Sequence, residues 1–113
     1  MIPSVPIIDQ QLDAYNRRDL EGFVGCYTAD AQLFHLADQS LAAEGHEEMR
    51  ALYRQRFVNP GLHAIITNRM VLGSFIIDYE NITGIAGIEL LEAIVIYQLR
   101  DGLIAKVWFI RAE

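Results

Sequence analysis

ELLEAIVIYQLRDGLIAKVWFIR, residues 89–111, is the stretch whose reading decides the fold. Two runs rich in Ile, Val, Leu and aromatic residues flank Asp101-Gly102, a dipeptide suited to the left-handed backbone of a two-residue hairpin turn. The stretch therefore reads as two antiparallel strands, residues 89–99 and 103–111. In Ala93-Ile94-Val95-Ile96-Tyr97 and in Lys106-Val107-Trp108-Phe109-Ile110 both alternate sets of side chains are largely apolar, so neither face of the hairpin suits water.

Before this hairpin, residues 62–72 and 75–83 are of the same kind, separated by Gly73-Ser74 and joined onward through residues 84–87, which extends it to four antiparallel strands. The first half of the chain has helical spacing instead. Val5, Ile8, Leu12 and Tyr15 share one helix face, opposite Asp9, Gln10, Asp13 and Arg17, with Ser4 as the expected N-cap and Pro6 in the first turn. Asp19 reads as the cap of a shorter helix that turns Leu20, Phe23, Val24 and Tyr27 inward. Residues 31–36 read as a short strand with Leu33 and His35 on one face and Phe34 and Leu36 on the other, and residues 37–44 as a polar loop. A third helix, residues 46–57, is expected to bury Met49, Leu52, Tyr53 and Phe57 and to pair Glu47 with Arg50, before Asn59-Pro60-Gly61 ends it.

Helices first and a long meander afterwards is the α+β pattern, one sheet with helices on a single face, here expected as one domain over residues 1–113. Three helices cover only one face of such a sheet. Its second apolar face predicts a homodimer through the sheet.

Composition narrows the function classes. The chain has 113 residues, 52% of them apolar, and a net charge of -6, which excludes a disordered or low-complexity protein. Its single lysine, Lys106, and acidic balance speak against a nucleic-acid surface, which needs clustered cations to displace counterions. One cysteine, Cys26, closes no disulfide within the chain. The start carries no basic leader, and the longest apolar run, residues 93–97, is far below the roughly 18 residues of a membrane helix. A cytoplasmic location is expected.

The order of these elements, with YNRRDL (15–20), YTADA (27–31) and YQLRDGLIAKVW (97–108), resembles the nuclear transport factor 2-like superfamily, and within it the SnoaL-like proteins, relatives of ketosteroid isomerase and of polyketide cyclases. The resemblance covers nearly the whole chain. It implies a cystatin-like roll, in which a curved antiparallel sheet forms a cone with the three helices on its concave face and a hollow that binds a small apolar molecule. It also carries the isomerase's general-base aspartate onto His35, its oxyanion-binding tyrosine onto Gln11 and its neutral, donating carboxylic acid close to Val95. Two strong donors are thus replaced, and losing even one typically costs about a hundredfold in rate, so the chain is not expected to be a competent ketosteroid isomerase. SnoaL-like proteins often carry Asp-His-Glu where this chain has Asp78-Tyr79-Glu80.

The catalytic candidate is His35, because an unperturbed imidazole, with a pKa of about 6.5, is a competent base near neutrality. His46 and His63 lie near turns and read as surface residues. The candidate substrate-binding residues are Tyr15, Tyr53, Phe57, Tyr79, Glu92 and Trp108. Strand alternation groups Tyr79 with Phe75 and Ile77 toward the pocket, and Asp78 with Glu80 away from it. Glu92 has two readings. A two-residue turn sets it opposite Arg111 as an ion pair, whereas a three-residue loop sets it opposite Ile110, on one face with Trp108, as a pocket acid. Arg69 either holds a substrate carboxylate or pairs with an acid on a neighbouring strand. The histidines and the cysteine show no metal-ligand spacing, so a site without metal or cofactor is expected. Two functional readings follow: a cofactor-free isomerase, cyclase or hydrolase that uses His35 as general base, and a dimeric module that binds a small apolar ligand without turnover.

Overall fold

In the computed structural model, which describes residues 2–111, Pro6 opens helix α1 (Pro6–Asn16). Proline suits that position because its missing N–H has no intrahelical acceptor. The cap is Val5 rather than Ser4. Asp9 reaches back from the first turn and accepts from the Val5 N–H and the Ser4 hydroxyl, both at 3.1 Å. Asp19 caps helix α2 (Leu20–Val24), accepting from the Gly22 N–H at 3.0 Å. Helix α3 (Gly45–Phe57) buries Met49 and Tyr53, whereas Leu52 is 41% exposed, against the expectation from its spacing. Arg50 also differs: it reaches Glu21 at 2.9 Å, outside its own helix.

Six strands follow the order β2-β1-β6-β5-β4-β3 in one curved sheet. They are β1 (Tyr27–His35), β2 (Ser40–Glu44), β3 (His63–Leu72), β4 (Phe75–Thr83), β5 (Leu91–Arg100) and β6 (Leu103–Arg111). Every neighbouring pair is antiparallel except β1 with β6, which run parallel. β1 starts four residues before the expected strand, and β2 occupies what reads as loop. β2 escapes sequence patterning because it is a short edge strand whose residues are mostly exposed, so no apolar alternation marks it.

Asp101 (φ 54°) and Gly102 (φ 78°) both adopt the left-handed backbone of a two-residue hairpin turn, pairing Arg100 with Leu103. A bulge between Gln98 and Leu99 then shifts the ladder, so that Arg111 lies opposite Ala93. Neither register expected for Glu92 is therefore formed. Gly84 (φ 84°) is required sterically, since a Cβ there would lie 1.9 Å from the Gly61 carbonyl oxygen.

The helices cover one face of the sheet. That face receives Ile76, Asp78, Glu80 and Ile82 from β4, Ala93, Val95 and Tyr97 from β5, and Val107 and Phe109 from β6. Phe23 of α2 fills its centre, its ring 4.5 Å from that of Tyr53 and 5.2 Å from that of Tyr27. Asn16 fastens α1 to β3 by donating to the Ala64 carbonyl at 3.0 Å and accepting from the Ala64 N–H at 2.7 Å.

One buried ion cluster completes the scaffold. Arg69 of β3 lies opposite Asp78 and donates to both its oxygens, at 2.6 and 2.9 Å. Its third nitrogen donates to Asp9 of α1 at 2.7 Å and to the Pro3 carbonyl at 3.0 Å. Of the two sequence readings for Arg69, the structure has the pairing. Removing one partner from such a buried pair costs about 3–5 kcal/mol, because the other charge is left without compensation. No helix among the described residues is long and apolar enough to cross a membrane.

Candidate functional site

Successive side chains of a strand point to opposite faces, so Asp78 and Glu80 of β4 both enter the helix-covered face. Arg69 neutralises Asp78. Glu80, 7% exposed, has no such cation: its one hydrogen bond among the described residues is from the Tyr97 hydroxyl to Oε2 at 3.2 Å. Burial above all, and then the nearby Asp78 carboxylate, push the Glu80 carboxyl up to about 7 against the pull of Tyr97, Arg69 and Arg56.

Glu80 borders a deep space of about 30 Å³, walled by Gln11, Tyr15, Tyr27, Tyr53 and Tyr97, which is room for about one or two waters. Burial raises Tyr27 and Tyr97 well above the ordinary tyrosine value, so both stay neutral hydroxyls. Tyr27 donates to Gln11 Oε1 at 2.9 Å. Tyr15 differs from both, because its oxygen accepts from Arg56 Nη1 at 2.9 Å. Its own proton has no acceptor among the described residues and can be donated to a ligand.

Tyr53, Arg56, Phe109 and Arg111 border this deep space and also a wider outer chamber of about 230 Å³. His35 stands on the wall of that outer chamber, its ring 6.5 Å from that of Phe109, and Leu52 and Asn59 line the same space. The two spaces share Tyr53, Arg56, Phe109 and Arg111 as a common wall, a small inner space beside a broader outer one.

The structure thus brings together His35, Tyr15 and Tyr53, with Phe57 behind the two tyrosines at ring distances of 5.4 and 6.0 Å. Gln11 and Val95 also line the deep space. Tyr79, Glu92 and Trp108 are corrections. All three lie on the opposite, helix-free face, where the Tyr79 hydroxyl donates to Glu92 at 2.7 Å and Trp108 stacks on Phe34. On β4 the faces are the reverse of the expectation: Phe75, Ile77 and Tyr79, the more apolar set, face away from the helices, and the set carrying Asp78 and Glu80 faces them. His46 is half-buried, its Nε2 2.9 Å from the Tyr27 carbonyl oxygen, and not a free surface residue. Cys26 is fully buried. Among the described residues no three His, Cys, Asp or Glu side chains converge as a metal set would.

Sequence reasoning missed Glu80, Tyr97, Arg56 and Arg111. One signal was present. The Gly73-Ser74 turn sets Leu72 opposite Phe75 and hence Arg69 opposite Asp78, which marks the face of Asp78, and so of Glu80, as the one with internal ionic partners.

The family model described as SnoaL-like domain matches residues 8–107. No curated protein matches the chain. Among solved structures, the chain is similar to an uncharacterized cystatin-fold protein from Novosphingobium aromaticivorans, with 23% identity over 93% of this chain and 95% of that one and a TM-score of 0.82. It is similar to a protein with ketosteroid isomerase-like fold from Catenulispora acidiphila, solved with trimethylamine, at 14% identity over 96% and 86% of the two chains and a TM-score of 0.81. A third is the epoxide hydrolase/cyclase-like enzyme SalBIII of pyran ring formation in the polyether salinomycin, at 12% identity over 94% and 88% and a TM-score of 0.80. At these identities the likeness is one of fold.

The raised carboxyl makes stability depend on pH. The folded value of about 7 lies above the ordinary 4.5, so the folded protein holds this proton more tightly than the unfolded chain. The resulting stability is complete below about pH 4.5 and is lost as pH rises to about 7. Glu80→Gln, neutral throughout, is therefore expected to gain on the wild type by about 3 kcal/mol between acid and mildly alkaline pH. Urea unfolding across that range measures the gain; a difference that does not change with pH contradicts it.

Proposed function

As the chain belongs to the SnoaL-like domain family, we propose that it binds a small carbonyl compound in the two-part site and transfers a proton on it without a cofactor, with Glu80 as the acid–base group. The observation that carries this reading is the buried Glu80 carboxyl at the floor of the site, raised to about 7, whose one hydrogen bond among the described residues comes from Tyr97. A group with that affinity is present in both protonation states at working pH, as general acid–base catalysis requires.

The ionised carboxylate takes a proton from the carbon beside the carbonyl. The electron pair moves onto the carbonyl oxygen, which accepts from the Tyr15 hydroxyl, itself polarised by Arg56. Returning the proton to another carbon isomerises the substrate. Attack of the carbanion on a second carbonyl of the same molecule closes a ring, with the proton then delivered to the new alkoxide. His35, on the mouth, is the competing base for a substrate that stays in the wider chamber. Ketosteroid turnover is not expected, since Gln11 and Val95 replace two donors and the deep space is only about 30 Å³. That small volume also favours the second reading, a binding module without turnover.

The helix-free face supports a homodimer. Phe34, Trp108, Ile110, Ile96, Ile94 and Ile77 continue across four strands there, with Met70 and Leu72 more exposed at the edge. A second copy of the same face is the self-complementary cover. The free, buried Cys26 fits a reducing compartment, and we place the protein in the cytoplasm.

Two experiments test these readings. Acetophenone, levulinate and benzoylpropionate, incubated with the protein in D₂O, report proton transfer as loss of the α-proton signal by NMR. Wild type is expected to accelerate exchange, Glu80→Gln to lose a hundredfold or more, and His35→Ala to lose less than about tenfold. Exchange abolished in His35→Ala alone moves the base to the imidazole, and bound ketones that never exchange leave a binding module. Light scattering is expected to give twice the 12.8 kDa chain mass for wild type and a monomer for Trp108→Glu. A monomeric wild type overturns the dimer.

A further inference from the structure

The outer chamber stands apart electrostatically from the rest of the molecule. The chain carries 15 acidic residues against 9 basic ones, yet among the described residues no acid lines this chamber, whereas Arg56, Arg111 and His35 do. Of the six other arginines, Arg17, Arg50, Arg69 and Arg100 each meet a carboxylate, and Arg18 donates to the backbone carbonyls of Asn16 and Leu62. Arg56 and Arg111 meet none among the described residues. Arg56 spends one N–H on the neutral Tyr15 hydroxyl, and the Arg111 guanidinium lies 5.2 Å from the centre of the Phe109 ring. Stacking on an aromatic face holds a guanidinium in place while leaving its N–H edge free to donate.

Both guanidiniums border the deep space as well as the outer chamber, and both favour ionisation of Tyr15 and Tyr53 at its wall. Their positive field therefore reaches the floor of the site from the mouth. Gln55 and Asn59 add neutral amide groups on the same wall. Planar donors at the mouth, aromatic walls and a proton-transfer group at the floor define a ligand with an anionic head and a carbonyl-bearing tail.

We propose that the outer chamber is a carboxylate-binding site in which Arg56 and Arg111 hold the acid group of a small oxo acid, directing its carbonyl end toward Tyr15 and Glu80. The carboxylate fits the guanidinium fork geometrically, and the site is walled enough for charge-assisted bonds to exceed their value in open water. This inference names the substrate class for the proton-transfer reading and rests on that reading only for the orientation of the tail. The head-group site stands on the chamber itself.

Levulinate, phenylacetate and benzoylpropionate, each paired with its methyl ester, serve as probes, with affinity measured by calorimetry. At low salt at least one acid is expected to bind about tenfold or more tightly than its ester, with the preference shrinking as sodium chloride is raised. Arg111→Gln, at an exposed position, and Arg56→Lys, which keeps the charge but loses the fork, are each expected to reduce that preference. Lys106→Gln, which removes one charge from the opposite side of the sheet, is expected to leave it unchanged. Equal binding of acids and esters, no acid binding at millimolar concentration, or an equal loss in Lys106→Gln overturns the proposal. Acid preference without any α-proton exchange removes the proton-transfer reading and leaves the carboxylate site intact. Exchange on neutral acetophenone with no acid preference does the reverse.

Discussion

Two carboxylates two residues apart on a strand must share a face, and β4 directs both Asp78 and Glu80 beneath the helices, where Arg69 reaches only the first. The rest of the site follows from that inequality. Asp78 is held by the bidentate Arg69 and serves the scaffold, since the same guanidinium ties β3 and β4 to the start of α1 through Asp9. Glu80 is left with a phenol at 3.2 Å, a neighbouring negative charge and an apolar surrounding, so its neutral form is favoured. Equivalent chemistry in one strand is thereby divided between holding the fold together and remaining available for a proton.

The aromatic packing that supports this arrangement also limits it. Phe23, Tyr27 and Tyr53 fill the centre of the helix-covered face with closely spaced rings, and what they leave open is a small, aromatic-walled floor beside Glu80 below a wider, cationic mouth. The tyrosines there are kept neutral by burial and act as donors or acceptors without changing charge. A site of this kind selects ligands by size at the floor and by charge at the entrance, and its fold class alone, shared with relatives of diverse description, would not reveal either property.

Much of the architecture was legible in the sequence. The Asp101-Gly102 hairpin, the long meander, the Asp19 cap and the three helices all have local causes, in turn chemistry and in apolar period. The SnoaL-like resemblance rested on the order of those elements and agrees with the family match. What sequence reasoning lost was the sign of the alternation. Period two separates Tyr79 from Glu80 but does not say which faces inward, and in a sheet with two apolar faces hydrophobicity points both ways. Tyr79, Glu92 and Trp108 went to the wrong side for that reason. The bulge at Gln98, the edge strand β2 and the parallel pairing of β1 with β6 depend on contacts distant in sequence, which no local pattern encodes.

The chemistry of the site depends on one carboxyl group, whose protonation can be watched directly. In protein labelled with carboxyl carbon-13 glutamate, the Glu80 resonance, identified by its absence from the Glu80→Gln spectrum, should titrate with a midpoint of about 7. A midpoint at or below the ordinary 4.5 would contradict the account, for it would mean that the side chain is hydrated or paired rather than held neutral against the aromatic floor.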